Sequence, residues 1–128
     1  MAKIRQRGTS PELVVRAALH QLGLRYRTHN RDLPGSPDLA NRRRRWAVFV
    51  HGCYWHRHES CPRATTPRTN RAFWEAKFQR NVQRDANAVL ALQRLGYRVL
   101  VVWECETPNH RPIPKLRHFA QRVLDLIA

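Results

Sequence analysis

Residues 46–61 read WAVFVHGCYWHRHESC. Ala47, Val48, Phe49 and Val50 form a short apolar run, the pattern of a buried strand, and the chain passes from it directly into a cluster of His, Cys and aromatic side chains. Within that cluster Cys53, His58 and Cys61 follow a C-x4-H-x2-C spacing, three soft or borderline ligands close enough to converge on one ion. A tetrahedral zinc site needs a fourth. The one cysteine left, Cys105, lies far along the chain but directly after a second apolar stretch, residues 99–103. If the two stretches are neighbouring strands, their ends bring four ligands together and a zinc-stabilised loop is expected. His56 is the alternative imidazole; His58 is preferred because that leaves His56 for other work.

Upstream, residues 32–37 (DLPGSP) are rich in turn formers, and Asp38 follows Pro37 in chain that must be extended. Leu39 and Ala40 can begin a strand, residues 41–45 a basic hairpin turn, and residues 46–50 its return, which puts Asp38 near the end of the returning strand. Phosphodiester hydrolysis needs a carboxylate to hold Mg2+ against the scissile phosphate and a base near neutrality to activate the attacking water. Asp38, His51, His56 and Glu12 are the candidates. Many nucleases carry Glu-x-Lys one strand after Pro-Asp; here that strand ends in Phe49-Val50-His51, without the second carboxylate and lysine.

Farther out, Thr9-Ser10-Pro11-Glu12 fits a capping box, which is also the bland reading of Glu12. A helix follows through Leu22 and stops at Gly23. Residues 24–29 alternate as a half-buried strand. A long helix is expected from Phe73 to Leu95, with Phe78, Val82, Ala86, Val89 and Leu92 as its apolar stripe and Lys77, Arg80, Arg84 and Arg94 opposite. Residues 97–103 read as a strand buried on both faces. Pro108, Pro112 and Pro114 make a stiff link to a closing amphipathic helix over residues 116–127. The fold class is α/β: a mixed central sheet of about four strands with helices on both faces. One domain is expected over residues 1–128, with residues 1–8 as a basic arm.

The charge narrows the partner. Lys+Arg is 24 against Asp+Glu 9, a formal net charge of +15, and arginine dominates. Nucleic acid fits this better than an anionic membrane, because guanidinium groups grip phosphate and guanine bidentately; a solvated basic face is the plain alternative. Three cysteines, no apolar h-region near Met1 and no apolar run approaching a membrane span suit a reducing, cytoplasmic setting, where clustered cysteines beside histidines favour metal over disulfide. Phe73 is expected to pack in the core. Tyr54, Trp55 and Trp74 sit in more polar surroundings and would serve well as wedges in a base stack.

Together these residues resemble the very-short-patch mismatch repair endonucleases, a branch of the restriction-endonuclease-like nucleases. The carriers are Thr9-Ser10-Pro11-Glu12, Leu33-Pro34-Gly35-Ser36-Pro37-Asp38, Val48-Phe49-Val50-His51-Gly52-Cys53-Tyr54-Trp55-His56, Phe73-Trp74, residues 81–85 and Trp103-Glu104-Cys105-Glu106. The resemblance spans about residues 1–106. It implies a Mg2+-dependent nick in the T-bearing strand at a T:G mismatch, the lesion left by deamination of 5-methylcytosine. Asp38 and the Val50 carbonyl would hold Mg2+, and His56 would be the base, with His51 and Glu12 assisting. Cys53, His58, Cys61 and Cys105 would hold a structural Zn2+. Tyr54, Trp55 and Trp74 would intercalate, and Asp85 falls in an outer shell. Val50 departs from the family's usual threonine, so only its carbonyl can carry over. Arg57, Glu59 and Ser60 replace family histidines.

The expected partner is mismatched double-stranded DNA, bound by a monomer in the cytoplasm at the nucleoid, alongside other mismatch-repair proteins. The competing readings are an endonuclease of related fold with another mismatch or duplex target, and a non-catalytic zinc-stabilised DNA-binding module.

Overall fold

The computed structural model of the chain describes residues 10–107 and 113–125. Helix α1 (Ser10–Gln21) leads into strands β1 (Leu39–Asn41) and β2 (Trp46–His51); helix α2 (Arg71–Arg94), strand β3 (Arg98–Trp103), a 3-10 turn (Glu104–Glu106) and helix α3 (Pro114–Asp125) follow. The sheet order is β1-β2-β3, with β1 antiparallel and β2 parallel to its successor. Among the described residues no helix is long and apolar enough to cross a membrane.

Alternation along β2 sorts the core onto two faces. Trp46 and Val48 pack with Val14, Val15 and Leu19 of α1 and with Leu116, Phe119 and Val123 of α3. Ala47 and Phe49 point the other way, against Ala88 and Leu92 of α2. Each face therefore carries helices, as the α/β reading requires. His51 continues the α2-side row, so the strand that builds the core also delivers an imidazole to the α2 side of its own end.

The expected strand over residues 24–29 is absent. Its alternation is real, since Leu24 is buried and Arg25, Arg27 and His29 are exposed. But β1 is only three residues long, and backbone pairing is reduced to a single bridge, Arg27 with Ala40. Side chains add to that bridge: Asn41 Nδ2 donates to the Arg25 carbonyl at 3.0 Å, and Asn30 Nδ2 gives the Arg27 carbonyl, already accepting from the Ala40 N–H, a second bond at 2.7 Å. The sheet thus has three strands where about four were expected. Strand β3 also corrects its expectation. As an edge strand it is only half covered, and Val102 alone is buried.

Helix α2 is longer at its start than the pattern implied, and it is rotated. Phe78, Ala88 and Leu92 are buried, while Val82 is 45% exposed and Ala86 is exposed. The inward line runs 78, 81, 85, 88, 92, which places polar Asn81 and Asp85 against the loop after β2, at the Trp55 carbonyl and the His56 ring. Gly96, at φ +88°, ends the helix, with Tyr97 N–H donating to the Leu92 carbonyl and Gly96 N–H to that of Gln93. Gly35 is the other glycine that matters: at φ +72°, a Cβ there would lie 2.5 Å from that of Ala88. The absence of a side chain lets the turn before Asp38 lie directly on α2. The basic arm over residues 1–8, the Thr9 cap, Pro108, Pro112 and the last residues of the closing helix lie outside the described residues.

Candidate active site and metal centre

Both clusters singled out in the sequence form at the C-terminal ends of β2 and β3. The parallel register pairs His51 with Trp103, so Cys53 and Cys105, each two residues farther on, emerge side by side. Cys53, His58, Cys61 and Cys105 bring their ligand atoms within 4.8 Å of one another. His58 Nδ1 lies 3.6 Å from Cys53 Sγ and 3.4 Å from Cys105 Sγ. Tetrahedral zinc with ordinary Zn–S and Zn–N bonds requires a sulfur-to-nitrogen edge of about 3.6 Å. The donor set fits that ion in type, number and spacing.

The protein grips this cluster from outside. Cys53 N–H donates to Glu104 Oε1 at 2.9 Å, and the His58 ring stacks on Trp103 at 4.3 Å. Burial pushes the Cys53 thiol up to about 12, while the Arg63 backbone N–H lowers that of Cys61. A buried thiol so reluctant to ionise becomes a thiolate at neutral pH only beside a cation, which is what metal binding would supply.

The second cluster faces a cavity of about 550 Å³ whose walls include Glu12, Asp38, Val50, His51, His56, Asp85 and Glu104. Asp38 accepts a 2.6 Å hydrogen bond from the Val50 N–H, fixing the carboxylate against the end of β2. Burial pushes Asp38 up to about 6; the Val50 N–H opposes this, and the neighbouring Glu12 carboxyl, by charge and hydrogen bond, adds to it. Glu12 is itself buried and accepts from Arg16 Nη2 at 2.5 Å. Two carboxyls in contact at the rim of a cavity are an oxygen donor pair suited to a hard divalent cation such as Mg2+.

Across the cavity, His56 Nδ1 lies 2.6 Å from Asp85 Oδ2, and the His56 ring stacks on His51 at 3.9 Å with an interplanar angle of 5°. Hydrogen bonding to Asp85 places the proton on Nδ1 and leaves Nε2 as an acceptor. His51, buried and beside His56, is driven down to about 4, first by desolvation and then by its neighbour's charge, so it is neutral near pH 7. The ligand atoms of His51, His56 and Asp85 also lie within 4.8 Å of one another, close enough to share an ion. Parallel rings, however, direct their in-plane lone pairs alongside each other, which argues for an acid-base arrangement. The structure thus assigns the two imidazoles to different clusters: His58 joins the cysteines and His56 joins Asp85.

Aromatic residues cap one side of the cavity. Trp55 is 42% exposed, its ring 6.3 Å from that of Trp74, and Tyr54 meets Phe78 edge-on at 5.4 Å. Phe73, expected in the core, is 58% exposed because the first turn of α2 projects past the sheet. It joins this surface at 5.3 Å from Trp74. Lys77 Nζ lies 5.6 Å from the Trp55 ring centre and 5.5 Å from that of Trp74.

Sequence reasoning missed Arg57, whose guanidinium sits 4.0 Å over Phe78 and donates to the carbonyls of Tyr54, Ala64 and Thr65 and to Thr66 Oγ1. It ties both ends of the loop to α2. The only signal was that an arginine stands among metal-ligand types.

The profile of the family described as DNA mismatch endonuclease Vsr matches residues 1–63. The Type II nicking enzyme V.XorIIP of Xanthomonas oryzae pathovar oryzae is 43% identical over 106 residues, 83% of this chain and 77% of that protein. The Type II nicking enzyme V.NmeAIP of Neisseria meningitidis serogroup A is 39% identical over 109 residues, 85% and 77% of the two chains. The DNA mismatch endonuclease Vsr of Escherichia coli is 41% identical over 105 residues, 82% of this chain and 67% of that enzyme. At that identity over most of both lengths, the chain belongs to the Vsr family of DNA endonucleases.

Proposed function

We propose that this endonuclease nicks the T-bearing strand at T:G mismatches left by deamination of 5-methylcytosine, in a Mg2+-dependent reaction. The observation that carries the proposal is one cavity holding a carboxyl pair, Asp38 with Glu12, opposite an Asp85-oriented His56. Nicking, as distinct from double-strand cutting, is what the names of two of the relatives describe, and a mismatch target is in the name of the third.

Asp38 and the Val50 carbonyl would hold Mg2+, and Glu12 would reach it through water. Mg2+ there would supply charge stabilisation to the phosphate and the leaving oxygen. His56 Nε2 takes the proton from the attacking water, and Asp85 holds the ring in the tautomer that can accept it. His51, neutral and stacked on His56, orients that ring and offers a hydrogen bond to the phosphate without adding a second positive charge beside the base. Cys53, His58, Cys61 and Cys105 would bind Zn2+ and hold the loop that carries Tyr54, Trp55 and His56. Tyr54, Trp55 and Trp74 would wedge into the stack beside the mismatch, where weakened pairing lowers the cost of unstacking.

A central sheet with Asp38 leading into β1 and helices on both faces supports a restriction-endonuclease-like assignment. The setting we infer is a monomer acting at the nucleoid in the bacterial cytoplasm, followed by other repair proteins. Titration of Mg2+ into an end-labelled T:G duplex tests the chemistry: cleavage that rises with Mg2+ supports it, and tight binding without any cleavage would return a non-catalytic module.

A further inference from the structure

We propose that the end of the sheet opposite the candidate active site binds the phosphate backbone of a second DNA duplex. The six residues of β2 separate the two ends by about 17 Å. At the far end lies the β1–β2 turn. Arg42 is paired with Asp32, and Arg45 Nη1 donates to the Leu95 carbonyl at 3.0 Å, which fastens the turn to the end of α2. Arg43 and Arg44 between them are exposed and make no ion pair among the described residues. Arg98 N–H donates to the Arg45 carbonyl at 2.8 Å, which joins the turn to a groove of about 410 Å³ beside β3 and α3. Arg98, Lys115, His118 and Arg122 line that groove with Tyr97 and Phe119, and no acidic residue does. Lys115 is already committed to Glu106 at 2.5 Å. Of the acidic residues near this face, Asp32 is taken by Arg42 and Glu106 by Lys115, and α3 ends at Asp125.

A solvated basic face needs neither concavity nor this choice of side chain. Exposed arginines flanking an acid-free groove match a phosphate backbone, which a guanidinium contacts with two parallel hydrogen bonds. The same duplex cannot supply both ends. DNA is stiff over about 50 nm, and turning it back around so short a sheet would cost far more than a bent recognition site does. A second segment meets no such cost. Held at the far end while the cavity inspects another, it would let the enzyme pass between DNA segments without dissociating.

The inference rests on the DNA-binding part of the proposed function and not on the mismatch. Protein is loaded on an immobilised T:G duplex, with Ca2+ in place of Mg2+, and capture of a labelled, fully paired duplex is measured at low salt. The wild type is expected to capture it. The Arg43→Glu/Arg44→Glu/Arg122→Glu variant should lose capture by about tenfold or more yet nick free T:G duplex at the wild-type rate, with the corresponding three glutamine substitutions giving a smaller loss in the same direction. No capture by the wild type, undiminished capture by the glutamate variant, or a parallel fall in capture and nicking would overturn the proposal. A wild type that captures but does not nick T:G would contradict the mismatch reading and leave this one standing.

Discussion

The two clusters at the strand ends share a scaffold and differ in almost everything else. The cysteine cluster uses three thiols and one imidazole within 4.8 Å of one another, with Trp103 stacked on the imidazole and the Glu104 carboxylate accepting from the Cys53 N–H. The carboxyl–histidine cluster uses hard oxygens and two stacked imidazoles and opens onto a cavity. A closed donor set holds a loop in place; an open one leaves room for a substrate oxygen. Position along the strand does not separate the two, because Cys53 and His51 are two residues apart. Donor chemistry does.

That contrast can be broken most sharply at Asp38. Asp38→Ala should lower single-turnover nicking by about a thousandfold or more, with duplex affinity nearly unchanged in a gel-shift assay, because the carboxylate acts on the metal and phosphate and not on the DNA flanks. Cys105→Ser should do the opposite. It should lower zinc content below one per chain and cost several kcal/mol in urea unfolding, since ligand binding and loop folding are one event. Activity would then fall with the folded fraction. A Cys105 variant that retains zinc and stability would dissolve the distinction between the clusters.

Asp85→Asn is a finer cut within the open site. With the hydrogen-bonded tautomer no longer enforced, nicking should slow by roughly a hundredfold while duplex binding and zinc content stay unchanged. An equal loss of binding would make Asp85 a scaffold residue.

The smallest expected effect is thermodynamic. The folded Asp38 carboxyl titrates at about 6, above its ordinary 3.8, so its contribution to stability is fully present below pH 4 and is lost as pH rises through 6. In Mg2+-free buffer, Asp38→Asn should therefore raise the melting temperature at pH 8, by up to a few kcal/mol of stability, and lose that advantage near pH 4. Mg2+ should reverse the order at pH 8 by stabilising only the wild type. The same Mg2+ response in both proteins would remove Asp38 from the metal site.

How much of this was legible in the chain depends on which interaction decides each position. The convergence of Cys105 with Cys53 could be anticipated because two apolar strands, once paired in parallel, leave their next residues together. The assignment of His56 and His58 to separate clusters could be posed from spacing but not resolved, since both imidazoles lie in one irregular loop. Asp85 was seen only as an outlying acid, and the reason is instructive. The stripe drawn through Val82 and Ala86 maximises apolar content, whereas the helix turns Asp85 toward the cavity and Asn81 toward the Trp55 carbonyl, where polar partners await them. Residues 24–29 failed differently: the alternation was correct, but a strand also needs a partner, and β1 offers one bridge. Phe73 was assigned to the core by residue type, while the projecting turn of α2 exposes it beside Trp74.

The central claim is that this site selects a T:G mismatch and cuts one strand. Its most direct test is a nicking assay on matched duplexes, T:G against C:G in several flanking contexts, with each strand labelled in turn and with Mg2+ present or omitted. The account predicts Mg2+-dependent cutting of the T-bearing strand alone. Equal cutting of the C:G control, or cutting of both strands, would contradict it.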